Sequence, residues 1–228
     1  MTLALLEVTL GVSFYRVGSL MSKPDGLRNQ KKAETRQAIS NIATRLFVER
    51  GFENVSVAEV AREAGVARKT VFNYFPRKED LIFDREEEVR ALVRDAIVGR
   101  GSQSPVDAFR ALMRTLLETG HPIFHMTARP LQFWGTVADS PALTTYAREL
   151  QVTLANDLGE MLSDALDRPH ADPYARLAAA MLVSTLVVAY GDALRAFREE
   201  RDPVEAFAGV MERGFAGVDA AVAGTPYV

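Results

Sequence analysis

The sequence predicts an all-α protein, and three observations carry that prediction. Four times a capping oxygen stands directly before a proline: Ser104-Pro105, Ser140-Pro141, Asp172-Pro173 and Asp202-Pro203. Such a side chain accepts a bond from an orphan backbone N–H, and proline suits the first helical position because its missing donor is not needed there. Helices are therefore expected to begin at 105, 141, 173 and 203. Between Lys31 and Ile97 apolar residues recur at spacings of three and four, the helical period. After residue 22 no alternation of apolar and polar residues suggests a strand.

Residues 1–22 fit poorly with the rest of the chain. Val8, Leu10, Val12 and Phe14 alternate as a lone strand would. Glu7, the lack of a basic start and the lack of a small-residue cleavage site argue against a secretory leader. The stretch reads as a disordered extension or a start-site error, with translation beginning at Met21. Lys23 to Gln30 then form a polar arm or lead-in. The first helix is expected over Lys31 to Arg50, with Ala38, Ile42, Leu46 and Phe47 as its apolar stripe and Gly51 closing it.

Ser56 followed three residues on by Glu59 is a capping box, in which each side chain satisfies a backbone N–H of the helix start. Val57, Val60, Ala61 and Ala64 give the helix after it one apolar face, and Gly65 ends it where the chain needs a left-handed residue. Val66 is an apolar plug. Arg68 to Phe75 make a second short helix that Pro76 stops. Two short helices about a glycine turn form a helix-turn-helix. Arg68, Lys69 and Thr70 open the second of them with the charges and hydroxyl that a major-groove reader uses near its N-terminus.

A longer helix is expected from Lys78 through Leu81, Ile82, Val89, Leu92, Val93 and Ile97, stopping before Gly99. It links a head (23–78) to a helical effector-binding and dimerisation body (79–228). One or two short helices fill the stretch between Pro122 and Asp139. Leu177 to Tyr190 is apolar almost all round, but its 14 residues fall short of the roughly 20 that a bilayer span needs. It reads as a buried helix, and no membrane is expected. In the last helix Phe207, Val210, Met211, Gly214, Phe215 and Val218 form a wide apolar face. That face is buried either against a second copy of the chain or within the subunit, and Gly191, Gly214 and Gly217 would allow close helix approach.

Composition narrows the chemistry. The 228 residues contain no cysteine and three histidines, which excludes disulfides and thiol catalysis. His121 and His125 have i, i+4 spacing, but Pro122 lies between them and no carboxylate cluster is near, so no metal and no cofactor is expected. The net charge of −3 is uneven: residues 23–80 hold 12 Lys and Arg against 8 Asp and Glu, whereas residues 81–228 carry a balance of −7. A basic head on an acidic body suits a protein that meets phosphate with one end only.

Gly65-Val66, Thr70, Phe72-Asn73-Tyr74-Phe75 and Pro76-Arg77-Lys78-Glu79-Asp80-Leu81 resemble the DNA-binding domain of the tetracycline-repressor (TetR) family, and Leu46 to Phe52 resemble the end of its first helix. The resemblance covers about Lys31 to Val89; beyond it only helix number and length are similar. It implies that Ser56 and Lys78 contact phosphate at two helix starts, and that Arg68, Lys69, Thr70, Asn73 and Tyr74 form the exposed face of the recognition helix. Phe72 and Phe75 read as core. Three positions depart from the family pattern: Ala67 supplies no side-chain cap, Ala58 cannot read a base, and Phe72 replaces a tyrosine and removes a hydroxyl. The resemblance further implies a four-helix dimer interface from the last two long helices, for which Phe207, Val210, Met211, Gly214, Phe215 and Val218 are the candidates.

The most irregular and aromatic part of the body is His121 to Trp134. Phe124, His125, Arg129 and Trp134, with Phe109, Met113, Tyr146 and Tyr190, are candidates for an apolar ligand pocket, although residues of these types also fill ordinary cores. Arg129 would favour an anionic effector. The function expected is a cytoplasmic, homodimeric DNA-binding regulator of transcription controlled by an unknown small molecule, most simply a repressor. An activator of the same fold is the alternative; an enzyme or scaffold with a vestigial motif is the remote one. No catalytic residue is assigned, because no nucleophile–base pair or phosphate loop is present.

Overall fold

The computed structural model describes residues 24–121 and 128–228, with side chains from residue 29 to His121 and again from Leu131. Among the described residues there are nine α-helices and no strand. In chain order they are α1 (Pro24–Arg50), α2 (Val57–Glu63), α3 (Arg68–Tyr74), α4 (Glu86–Val98), α5 (Pro105–Glu118), α6 (Ala128–Asp139), α7 (Pro141–Asp164), α8 (Pro173–Arg198) and α9 (Pro203–Ala221). The reading of residues 1–22 lies outside the described residues.

All four cap–proline starts form as expected. Ser104 accepts from the Asp107 N–H, Ser140 from Leu143, Asp172 from Tyr174 and Ala175, and Asp202 from Val204 and Glu205. Gly65 sits at φ +66° and Gly51 at φ +83°, the left-handed conformation that ends α2 and α1.

Three expectations change. First, α1 begins at Pro24, so the stretch after Lys23 read as an arm is helical. Its buried stripe is Ile39, Ala43, Leu46 and Phe47, whereas Ala38 faces solvent and Ile42 is half-buried. Second, the helix expected from Lys78 is broken. Glu79–Leu81 make one tight turn and α4 starts only at Glu86. Contacts distant in sequence hold the break: Arg36 donates to the Asp84 carbonyl at 2.8 Å and Gln37 to the Asp84 carboxylate at 3.4 Å. Leu81 and Ile82 are thereby turned into the head core. Third, α8 spans 26 residues and is long and apolar enough by composition to cross a bilayer. It is instead the central helix of the body, packed on α7 and α9, and only partly buried.

Two apolar clusters result. The head core joins α1, α2 and α3 through Phe47, Phe52, Val60, Val71 and Phe75, and it takes in Val137 from α6 and Leu143 from α7. The body core joins α4 to α9, with Phe109, Leu131, Leu162, Leu182, Phe207 and Phe215 at its centre. The last residues fold back on it: the Val106 N–H donates to the Tyr227 carbonyl and the Tyr227 ring is buried. The crossing of α8 and α9 is tight at Gly214, where a Cβ would meet Thr185 at 2.1 Å.

Candidate nucleic-acid interface

The capping box is complete. The Glu59 N–H donates to Ser56 Oγ at 3.2 Å, while the Ser56 N–H and hydroxyl each donate to the Glu59 carboxylate at 2.8 Å. The bonds donated by Ser56, the backbone one first, hold the Glu59 carboxyl below its usual range. Ser56 thus fixes the start of α2 while remaining exposed.

Helix α3 is anchored by Val71, which is wholly buried, and by Phe75 just beyond its end. At 100° per residue, Lys69 and Asn73 lie opposite Val71 and form the crest of the helix. Arg68 and Phe72 share one flank; Thr70 and Tyr74 share the other. The exposures follow: Arg68, Lys69, Phe72 and Asn73 are exposed, and Thr70 and Tyr74 are half-buried. Ala67, at the N-cap, makes no side-chain bond. Neighbouring cations are paired, Arg45 with Glu63, Arg50 with Glu59 and Arg77 with Glu149. Among the described residues no carboxylate pairs with Arg68 or Lys69, so the crest presents unneutralised positive charge.

Two residues are placed otherwise than the sequence suggested. Lys78 turns inward: its ammonium donates to the Phe52 carbonyl at 2.5 Å and lies 4.0 Å from the centre of the Phe52 ring. Burial pulls its pKa down. Its bonds brace the chain after α1 rather than project toward a ligand. Phe72, expected in the core, is 38% exposed and lies under the Arg68 guanidinium at 5.3 Å. Periodicity gave no sign of this, because Phe75 three residues on satisfies the same apolar face.

The expected effector residues divide. Phe109 and Met113 are buried in the body core, where Phe109 meets Phe215 edge-on at 6.4 Å. Trp134 stacks on Tyr190 at 4.8 Å, and Tyr190 meets Phe207 at 5.2 Å. Burial pushes the Tyr190 phenol well above its usual pKa. Tyr146 is elsewhere, at the joint of head and body. Its hydroxyl donates to Asp80 at 2.7 Å, its ring stacks on Phe83, and the Arg77 guanidinium lies over it. With Arg36, Tyr74 and Glu86 it lines a cleft of about 210 Å³ there. Phe124, His125 and the Arg129 side chain lie outside the described residues.

The body grips the head through α6 and the start of α7. Ser140 donates to Glu53 at 2.7 Å and Arg77 to Glu149 at 2.8 Å. Trp134 packs against both apolar clusters, and Val137, one turn further along α6, is in the head core. A short rigid helix therefore ties the Trp134–Tyr190 stack to the head.

Four of the six residues assigned to a partner face are buried inside the subunit. Phe207, Met211, Phe215 and Val218 are buried in the single chain, whereas Val210 and Gly214 are half-buried and keep part of their surface outward. A longer outward stripe lies on α8. Leu177, Ala180, Ser184, Val187, Val188 and Gly191 follow one helical stripe and all are exposed.

Comparison with known proteins agrees with the head geometry. Residues 39–84 match the family of bacterial regulatory proteins named tetR. The transcriptional regulator AcrR of Shigella flexneri is 31% identical over 88 residues, which are 39% of this chain and 41% of that protein. The chain matches less than half the length of the curated relatives it resembles. Among solved structures, NalD, the secondary repressor of the MexAB-OprM multidrug efflux pump of Pseudomonas aeruginosa, superposes with a TM-score of 0.52 over 82% of this chain and 97% of that one, at 19% identity. The SmeT–triclosan complex superposes at 0.53 over 81% and 91%, at 20% identity. Identities this low bear on fold alone. Residues 39–84 are thus a domain of the tetR family of bacterial regulatory proteins, and they sit on an all-α body with the fold of NalD and SmeT.

Proposed function

We propose that the chain is a cytoplasmic regulator of transcription that binds a pseudo-palindromic DNA site as a homodimer and releases it when a small molecule occupies the body. The observation that carries the reading is the outer surface of α3: Arg68 on its flank and Lys69 and Asn73 on its crest stand exposed after a glycine turn, the two cations without carboxylate partners among the described residues. Lys and Arg there suit phosphate and guanine O6/N7, and Asn suits adenine N6/N7. A single head presents one such short helix. Two of them, spaced one turn of DNA apart at about 34–36 Å, give the reach that a specific site needs.

Dimerisation is supported by the exposed stripe on α8. Val187 and Val188 are 51% and 57% exposed, and Leu177 is 44% exposed. Leaving such a face in water forgoes roughly 25 cal/mol for every Å² a second copy would cover. Gly191 and Ala180 keep it flat enough for helices to approach.

Control by an effector is supported by α6. A ligand wedged at the Trp134–Tyr190 stack moves Trp134, and Val137 one turn away carries the displacement into the head core. Only a ligand with different affinity for the two head positions can shift their balance. Going from mostly bound to mostly released takes about 5.5 kcal/mol of such preference. SmeT was solved with triclosan, which makes apolar aromatic compounds the first effectors to try. The sign of control is read as repression, the simplest outcome when binding occludes a promoter; a reporter whose expression falls on deletion of the gene would show activation instead.

The test is selection of bound duplexes from a random pool, followed by titration at two salt concentrations. A pseudo-palindrome with affinity falling steeply with salt is expected. A folded dimer that enriches no sequence would refute the reading.

A further inference from the structure

We infer that Phe72 is a base-reading residue that recognises the C5 methyl of a thymine, beside a base read by Arg68. The inference rests on the DNA-binding reading of α3 and extends it to a residue that reading leaves unused.

Phe72 is the one exposed phenylalanine among the described residues. Every other described phenylalanine is buried or half-buried. Its ring closes no core, since Val71 and Phe75 already fill the inner face of α3. An aromatic ring left in water on a short helix forgoes the burial that other positions offer it. It stands four residues from Arg68 on the same flank, with the guanidinium 5.3 Å from the ring centre. That contact holds the arginine along the ring instead of letting it sweep through solvent.

The two side chains then present a fixed pair of chemistries: a planar fork of donors and, next to it, an apolar edge. In the major groove the fork matches guanine O6 and N7, and the apolar edge matches only the thymine methyl. The methyl stands toward its own strand's backbone, at the side of the groove. Lys69 and Asn73 on the crest point to the floor, so a flank residue is the one that meets the methyl. A tyrosine at position 72 would carry a hydroxyl into the same place and turn the ring's end toward phosphate. Phe72 has no such group, which leaves its apolar edge as its sole means of contact.

The test uses the full chain and the duplexes it selects. Each thymine in the selected half-site is replaced in turn by uracil, which deletes the methyl and keeps the base pair. Wild-type protein is expected to lose about fourfold in affinity at one thymine per half-site, the worth of one buried methyl group, and about sixteenfold when both half-sites are changed. Phe72→Ala, whose fold is checked by circular dichroism and melting, is expected to bind the thymine and uracil duplexes equally. Loss of discrimination at that one position, with the remaining positions unchanged, supports the inference. A wild type indifferent to every uracil, or a Phe72→Ala protein that keeps the wild-type discrimination, overturns it while leaving DNA binding intact. Failure to enrich any duplex overturns the DNA reading, and this inference with it.

Discussion

Replacing Gly214 by alanine tests where the last helix spends its apolar face. A Cβ at that position would stand 2.1 Å from Thr185 Cγ2, 2.4 Å from Oγ1 and 2.8 Å from Cβ. Rotating the Thr185 side chain relieves the first two contacts at the expense of the bond its hydroxyl donates to the Met181 carbonyl. The third cannot be relieved by rotation, because the Thr185 Cβ is fixed to the backbone. Helices α8 and α9 must therefore part. A packed core resists such parting at about 1–3 kcal/mol, and the need for backbone movement puts this case in the upper half of that range. Alanine returns up to about 1 kcal/mol of helix propensity over glycine. The expected net loss is about 1–2 kcal/mol, read by urea unfolding at a fixed protomer concentration. Thr185→Ala removes the two nearest atoms and should recover part of the loss in a double-mutant cycle. Gly217→Ala is the control on the same helix, for its nearest neighbour is the flexible tip of Met181 at 3.5 Å. It should be neutral or slightly stabilising. A Gly214→Ala protein as stable as the wild type would show that the crossing is not this close.

Other substitutions separate the remaining claims. Val188→Glu should turn the dimer into a folded monomer by light scattering and weaken binding to the selected duplex by at least tenfold, since a charge cannot be buried unpaired. Lys78→Ala should lower the melting temperature while leaving the salt dependence of DNA binding near that of the wild type, in keeping with its bond to Phe52. Ser56→Ala should cost about 1 kcal/mol of stability through loss of the cap. That cost should shrink on acidification: the folded-state pKa of Glu59 is depressed, so its bonds from Ser56 stabilise above the ordinary carboxylate pKa and are lost as pH falls through the folded value. Trp134 is the only tryptophan in the chain. Any compound that releases the DNA by the route through α6 should therefore change its emission, and one that releases DNA with no change would place the effector elsewhere.

What was legible in the sequence was local. Ser104, Ser140, Asp172 and Asp202 cap their helices because cap, proline and first turn are neighbours in the chain, and the same holds for the Ser56–Glu59 box and for Gly65. What was not legible depended on partners far away. Tyr146 reads as an aromatic of the body, yet Asp80, 66 positions earlier, draws its hydroxyl to the joint. The break after Leu81 has no glycine or proline to announce it and is held by Arg36 and Gln37. Phe207, Met211, Phe215 and Val218 look the same whether they face a partner or a core, because both surfaces ask for the same apolar stripe. The chain had a second candidate in α8, whose continuous apolar run concealed that one side of it, from Leu177 to Gly191, is left facing outward.

The central claim is that the crest of α3 carries the contact with DNA. Its most direct test is the slope of log affinity against log salt on the selected duplex, measured for the wild type and for Lys69→Ala. Each phosphate neutralised contributes about 0.9 to the slope, so a dimer losing Lys69 from both heads should show a slope shallower by nearly 2. Parallel lines of equal affinity for the two proteins would contradict the account, because they would mean that the exposed charge on α3 does not meet the duplex.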